Sequence, residues 1–71
     1  MKKSYTIEVT KYSKRYNIIC VKRDGLFEYY LEKNGYGHWF FIYAVDEEVF
    51  PSKSFIKASI QRTNEDIFWE A

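Results

Sequence analysis

One cysteine, one histidine, one proline and three glycines are all that 71 residues contain of these types. The scarcity of cysteine and histidine removes two classes of protein. A lone Cys20 closes no internal disulfide. With His38 as the only imidazole, there is no cysteine–histidine set at zinc-ligand spacing. Disulfide and zinc scaffolds are therefore excluded, and no metal or other cofactor is expected. A single reduced thiol points to a cytoplasmic setting. No run of residues approaches the ~20 apolar positions of a membrane span. Met1-Lys2-Lys3 leads into Ser4-Tyr5-Thr6 and not into an apolar stretch, so no secretory signal is expected.

The same poverty extends to catalysis. His38 has no serine or cysteine beside it in a recognisable nucleophile pattern and reads as a turn-flanking residue. Cys20 lies between Ile19 and Val21, where a small core residue is the natural reading. Asp46-Glu47-Glu48 reads as a solvated turn, not a cation site. Gly35-Tyr36-Gly37 lacks the Lys-Ser/Thr of a phosphate loop and precedes a strand, so it reads as a hairpin turn. No catalytic residue is assigned, and an enzyme is not expected.

What the chain has in quantity is aromatic side chains: seven Tyr, six Phe and two Trp, 21% of all residues. Each buries roughly 150–250 Å², which makes a core plausible in a single small domain spanning residues 1–71, near the lower size limit for unaided folding. The stretch from Gly37 to Val45, Gly-His-Trp-Phe-Phe-Ile-Tyr-Ala-Val, concentrates them and reads as the strand on which the fold is organised.

Taken in order, residues 5–10 alternate apolar and polar as a half-buried strand does. Residues 16–23 and 26–33 form two further strands around Asp24-Gly25, a pair suited to a type I′ hairpin. Asn34–Gly37 turns the chain into a fourth strand, 38–45. After Pro51 the period changes, and Ile56, Ile60, Thr63 and Ile67 mark one face of a helix over about 52–68, with Ser52 as N-cap and Arg62–Asp66 as an i, i+4 pair. A fifth strand over 54–62 is the competing reading, because Ile56, Ala58 and Ile60 also alternate with polar residues. The expected fold class is α+β: a four-stranded antiparallel β-meander with one C-terminal α-helix packed on one face (ββββα).

A two-residue loop at Asp24-Gly25 sets Cys20 opposite Tyr29 and Ile18 opposite Leu31. One face then carries Ile18, Cys20, Phe27, Tyr29 and Leu31, joined by His38, Phe40 and Ile42 if the next loop has two or four residues. The other face carries Ile19, Val21, Tyr30, Trp39, Phe41 and Tyr43, mixed with Asn17, Arg23, Glu28 and Glu32. A three-residue loop exchanges the sets that the fourth strand contributes. One helix covers one sheet face only, which leaves more apolar surface than a small monomer usually exposes, so a homodimer or tighter oligomer through that face is expected.

Charge is also divided. Residues 1–23 carry seven basic side chains against one acid, net +6, and residues 24–71 carry four against nine, net −5. Lys11, Lys14, Arg15, Lys22 and Arg23 are the candidates for contact with an anion or nucleic acid. Tyr30, Trp39, Phe41 and Tyr43 are the candidates for a partner-binding platform, since interface cores favour aromatic residues. The expected function is docking on a macromolecular partner, as an inhibitor, regulator or adaptor. That partner is another protein, with nucleic-acid-processing complexes among the candidates. Size and composition match the small inhibitors of phages and mobile elements, an analogy and nothing more. Two alternatives are a single-stranded nucleic-acid binder, against which Glu28, Glu32 and a pI of 7.8 weigh, and a homodimer that buries the second face.

Overall fold

The computed structural model describes residues 5–65. Four strands follow one another as an antiparallel meander: β1 (Tyr5–Lys11), β2 (Tyr16–Arg23), β3 (Leu26–Lys33) and β4 (Trp39–Val45). A single helix, α1 (Lys53–Glu65), completes the expected ββββα arrangement. No helix among the described residues is long and apolar enough to cross a membrane. The expected extension of the helix to 68, the Arg62–Asp66 pair, and Ile67, Phe68 and Trp69 lie outside the described residues.

The central hairpin forms as its turn dictates. Asp24 (φ 53°) and Gly25 (φ 77°) both take positive φ, as a type I′ turn requires, and Arg23 pairs directly with Leu26. The ladder then runs without interruption to Tyr16↔Lys33, with Cys20↔Tyr29 and Ile18↔Leu31. β1 pairs with β2 from Tyr5↔Arg23 to Lys11↔Asn17.

On the far side of β3 the ladder is broken. Glu32↔Trp39, Leu31↔Phe40 and Tyr30↔Phe41 follow the register of a four-residue loop at 34–37, but Tyr29 then pairs with Tyr43. Ile42 is the extra residue of a β-bulge, which shifts the strand's parity by one.

The helix is chosen over a fifth strand by its start and its stripe. Ser52 Oγ accepts a hydrogen bond from the Phe55 amide at 3.3 Å, and Ser52 O accepts one from the Ile56 amide at 2.9 Å, the arrangement of an N-cap. Ile56, Ser59 and Thr63 are buried on one side, and Ile60 is half-buried. The two hydroxyls are satisfied within the helix: Ser59 Oγ donates to Phe55 O (3.1 Å) and Thr63 Oγ1 to Ile60 O (2.8 Å).

Beneath this stripe lies the core of Tyr16, Ile18, Cys20, Tyr29, Leu31 and Ile56, edged by half-buried Phe27, Phe40, Ile42, Tyr43, Val45 and Ile60. Burying each large aliphatic member is worth about 1.5–3 kcal/mol, and these side chains are what fix the helix to β3 and β4.

Candidate functional site: the open sheet face

Alternation along the strands sends the remaining side chains to the face opposite α1. Ile19 and Val21 are buried there yet lie outside the helix-side core. Around them Tyr5, Ile7 and Val9 of β1, Leu26 of β3, and Trp39 and Phe41 of β4 stay exposed. Beside Ile19, Tyr30 anchors the aromatic end. Its ring lies 5.4 Å from Trp39 and 5.5 Å from Phe41, centroid to centroid.

The polar atoms of this cluster are tied to carboxylates. Tyr30 Oη donates to Glu28 Oε1 at 3.0 Å, and Trp39 Nε1 donates to Glu32 Oε2 at 3.2 Å. Glu28 is held in turn by Arg23 at 3.1 Å. Glu32 also accepts from Asn17 Nδ2 at 3.2 Å, and that amide donates to Asn34 Oδ1 at 2.9 Å. Burial, with help from the bond to Glu28, pushes the Tyr30 hydroxyl above its ordinary pKa, so it is a proton donor at neutral pH. The result is an aromatic surface on which Tyr30 and Trp39 are each tethered by a hydrogen bond to a carboxylate and have less rotamer freedom to lose on binding.

Three of the four expected platform residues, Tyr30, Trp39 and Phe41, are brought together. Tyr43 is not. The bulge at Ile42 turns Tyr43 to the helix side, where its ring packs edge-on against Tyr29 (5.4 Å) and lies 5.3 Å from Phe55. Its hydroxyl donates to Val49 O at 2.6 Å. Phe40, by contrast, faces the core as expected.

The expected basic residues do not converge. Lys11 ends β1 on the open face, and Arg23 lies on that face paired with Glu28. Lys14 and Arg15 occupy the β1–β2 turn, where their carbonyls accept hydrogen bonds from Asn34. Lys22 points to the helix side and sits between Glu8 and Glu48, 3.0 Å from each, which raises its pKa above the usual lysine value.

Cys20 is buried, and burial pushes its thiol up, away from the thiolate a nucleophile needs. Among the described residues no group of three His, Cys, Asp or Glu side chains gathers as a metal site.

The rest of this surface, Tyr5, Ile7 and Val9 of β1 with Leu26 of β3, is not singled out by the sequence. The signal is present in the alternation of residues 5–10, but that pattern does not tell which face the helix takes.

Comparison with known proteins finds no matching family model, no matching curated protein and no matching solved structure.

Proposed function

We propose that this chain is a non-enzymatic recognition protein that docks on a macromolecular partner, another protein, through its open sheet face, as an inhibitor, regulator or adaptor does. The observation that carries this reading is the Trp39–Tyr30–Phe41 cluster: Trp39 and Phe41 each pack against the Tyr30 ring, on a face that no element of the described chain covers, with the Tyr30 hydroxyl and the Trp39 indole N–H already paired. Rigid aromatic anchors of this kind supply most of the energy in protein interfaces. The burial of the Cys20 thiol supports the non-enzymatic side of the reading, and the single reduced cysteine supports a cytoplasmic setting.

A nucleic acid suits this face less well. Glu28 and Glu32 flank Tyr30, so phosphates would pass two carboxylates. The basic residues are divided among the open face, a turn and the helix side.

The test is a pull-down from host lysate with the bound proteins identified, repeated with Trp39→Ala and Phe41→Ala. Both variants should stay folded and lose ~2 kcal/mol or more of affinity for the captured partner. Unchanged capture by both would remove the open face from the function.

A further inference from the structure

The open face has two unlike halves, and they complement each other. On the β1–β2 side it is aliphatic apart from Tyr5 and ends in a cation. Tyr5, Ile7 and Val9 project from β1, with Lys11 at the far end. On the β3–β4 side it is aromatic at the end that carries Glu32, with Tyr30, Phe41 and Trp39 together there, while Leu26 and the Arg23-paired Glu28 occupy the other end.

The ladder pairs place these residues in rows across the sheet. One row runs Lys11, Asn17, Glu32, Trp39, and the next runs Val9, Ile19, Tyr30, Phe41. A two-fold axis parallel to the strands, lying above this face, lays β1 of one copy over β4 of the other and β2 over β3. Because the rotation leaves position along the strand unchanged, each row meets itself reversed. Val9 comes to face Phe41 of the second copy. Ile19 faces Tyr30. Lys11 stands over the Trp39 ring and within reach of Glu32, a cation–π contact and an ion pair at one position. Each contact occurs twice, as isologous interfaces require. A two-fold axis perpendicular to the strands places β1 over β1 and sets Lys11 over the Tyr5 ring but beside the like-charged Arg23, where the parallel axis sets it beside Glu32.

The area is sufficient. Tyr5, Ile7, Val9, Leu26, Trp39 and Phe41 are each between 40% and 61% exposed. With 150–250 Å² available per aromatic side chain, these six present on the order of 600 Å². That is the upper end of what a monomer leaves in one apolar patch, and it approaches the ~800 Å² that each partner contributes to a standard interface.

From this we infer that a second copy of this chain covers the open face, packed sheet to sheet about a two-fold axis parallel to the strands, when no other partner occupies it. The inference rests on the reading of this face as a docking surface and adds its regulation: a foreign partner must compete with self-association for Trp39 and Phe41.

Sedimentation equilibrium and light scattering over a concentration series test it, with far-UV circular dichroism confirming that each variant is folded. The native chain should be dimeric. Lys11→Glu sets a carboxylate against Glu32 twice, and Glu32→Lys sets an ammonium against Lys11 twice. Each change should weaken the dimer by about tenfold or more. Mixed in equal amounts, the two variants should recover a dimer. The glutamate introduced at position 11 of one copy then meets the lysine introduced at position 32 of the other, and the second contact is the native pair of Lys11 with Glu32. Val9→Asp, on an exposed position of β1, should give a monomer.

A native chain that stays monomeric at all concentrations overturns the inference, and so does a dimer unaffected by these charges and not restored by mixing. Its failure is distinguishable from that of the docking reading. A native monomer whose partner capture is still lost on Trp39→Ala sinks the dimer alone. A charge-tuned dimer whose partner capture ignores Trp39 sinks the docking reading alone.

Discussion

Tyr43 pairs with Tyr29 across β3 and β4, one position later than an unbroken ladder from Tyr30↔Phe41 would place it. That single step moves Tyr43 from the open face to the core side, where Phe55 and Val49 O receive it. Tyr43 should therefore behave as a stability residue. Tyr43→Ala is expected to destabilise the fold by roughly 3 kcal/mol, and Tyr43→Phe by about 1 kcal/mol through loss of one hydrogen bond. Urea melts measure both. A Tyr43→Ala variant with unchanged stability and reduced partner binding would contradict this placement.

Phe40 and Trp39 are adjacent in sequence and opposite in role. Phe40 packs on the core under α1, with Arg62 5.9 Å above its ring. Phe40→Ala should cost roughly 2–5 kcal/mol, a large share of the stability of a domain this small. Trp39→Ala should melt close to the native chain when both are compared at a concentration where they are monomeric. Equal loss of melting temperature in the two variants would mean that both faces are structural.

Raising the pH should unfold the protein through its tyrosines. Burial lifts Tyr29 from an ordinary 10.0 to about 12, and it lifts Tyr30 and Tyr43 in the same direction. The folded chain holds the Tyr29 proton more tightly than the unfolded chain does. Its contribution is therefore fully present below pH 10 and is lost as pH rises from 10 toward 12. The loss is on the order of 2–3 kcal/mol for this residue. Denaturation midpoints measured from pH 7 to 12 should be level at first and then fall, and Tyr29→Phe should flatten the fall. A midpoint independent of pH across that range would refute the assignment.

The helix start gives a smaller effect. Ser52→Ala removes the oxygen that accepts from the Phe55 amide and should destabilise by about 1 kcal/mol, read in the same urea melts. A loss below the error of the melt would show that the cap contributes nothing.

Gly25 holds φ 77° at the β2–β3 turn. The space around it is open, so Gly25→Ala meets no steric obstacle, only backbone strain of order 1–2 kcal/mol. Gly25→Asn, which tolerates this conformation, should retain most of the stability that Gly25→Ala loses.

The amino-acid sequence by itself determined the number and order of elements, because each follows from local chemistry. Asp24-Gly25 selects a two-residue turn, and that turn dictates every pair in the central hairpin. Ser52 and the spacing of Ile56, Ile60 and Thr63 select a helix once Pro51 has ended the preceding segment. Trp39, Phe41 and Tyr30 fall on one face by strand parity with a four-residue loop at 34–37, and the fold keeps them together there. Parity is also where sequence reasoning stops. An extra residue at Ile42 carries no composition signal, since a bulge arises from how β4 fits against β3 and under the helix, and it alone moves Tyr43 across the sheet. Lys22 is a similar case. Its sequence neighbours place it in a basic stretch, but only the fold brings Glu8 and Glu48 to within 3.0 Å on either side. Ion pairing across strands and loops depends on the path of the whole chain, and no local pattern records it.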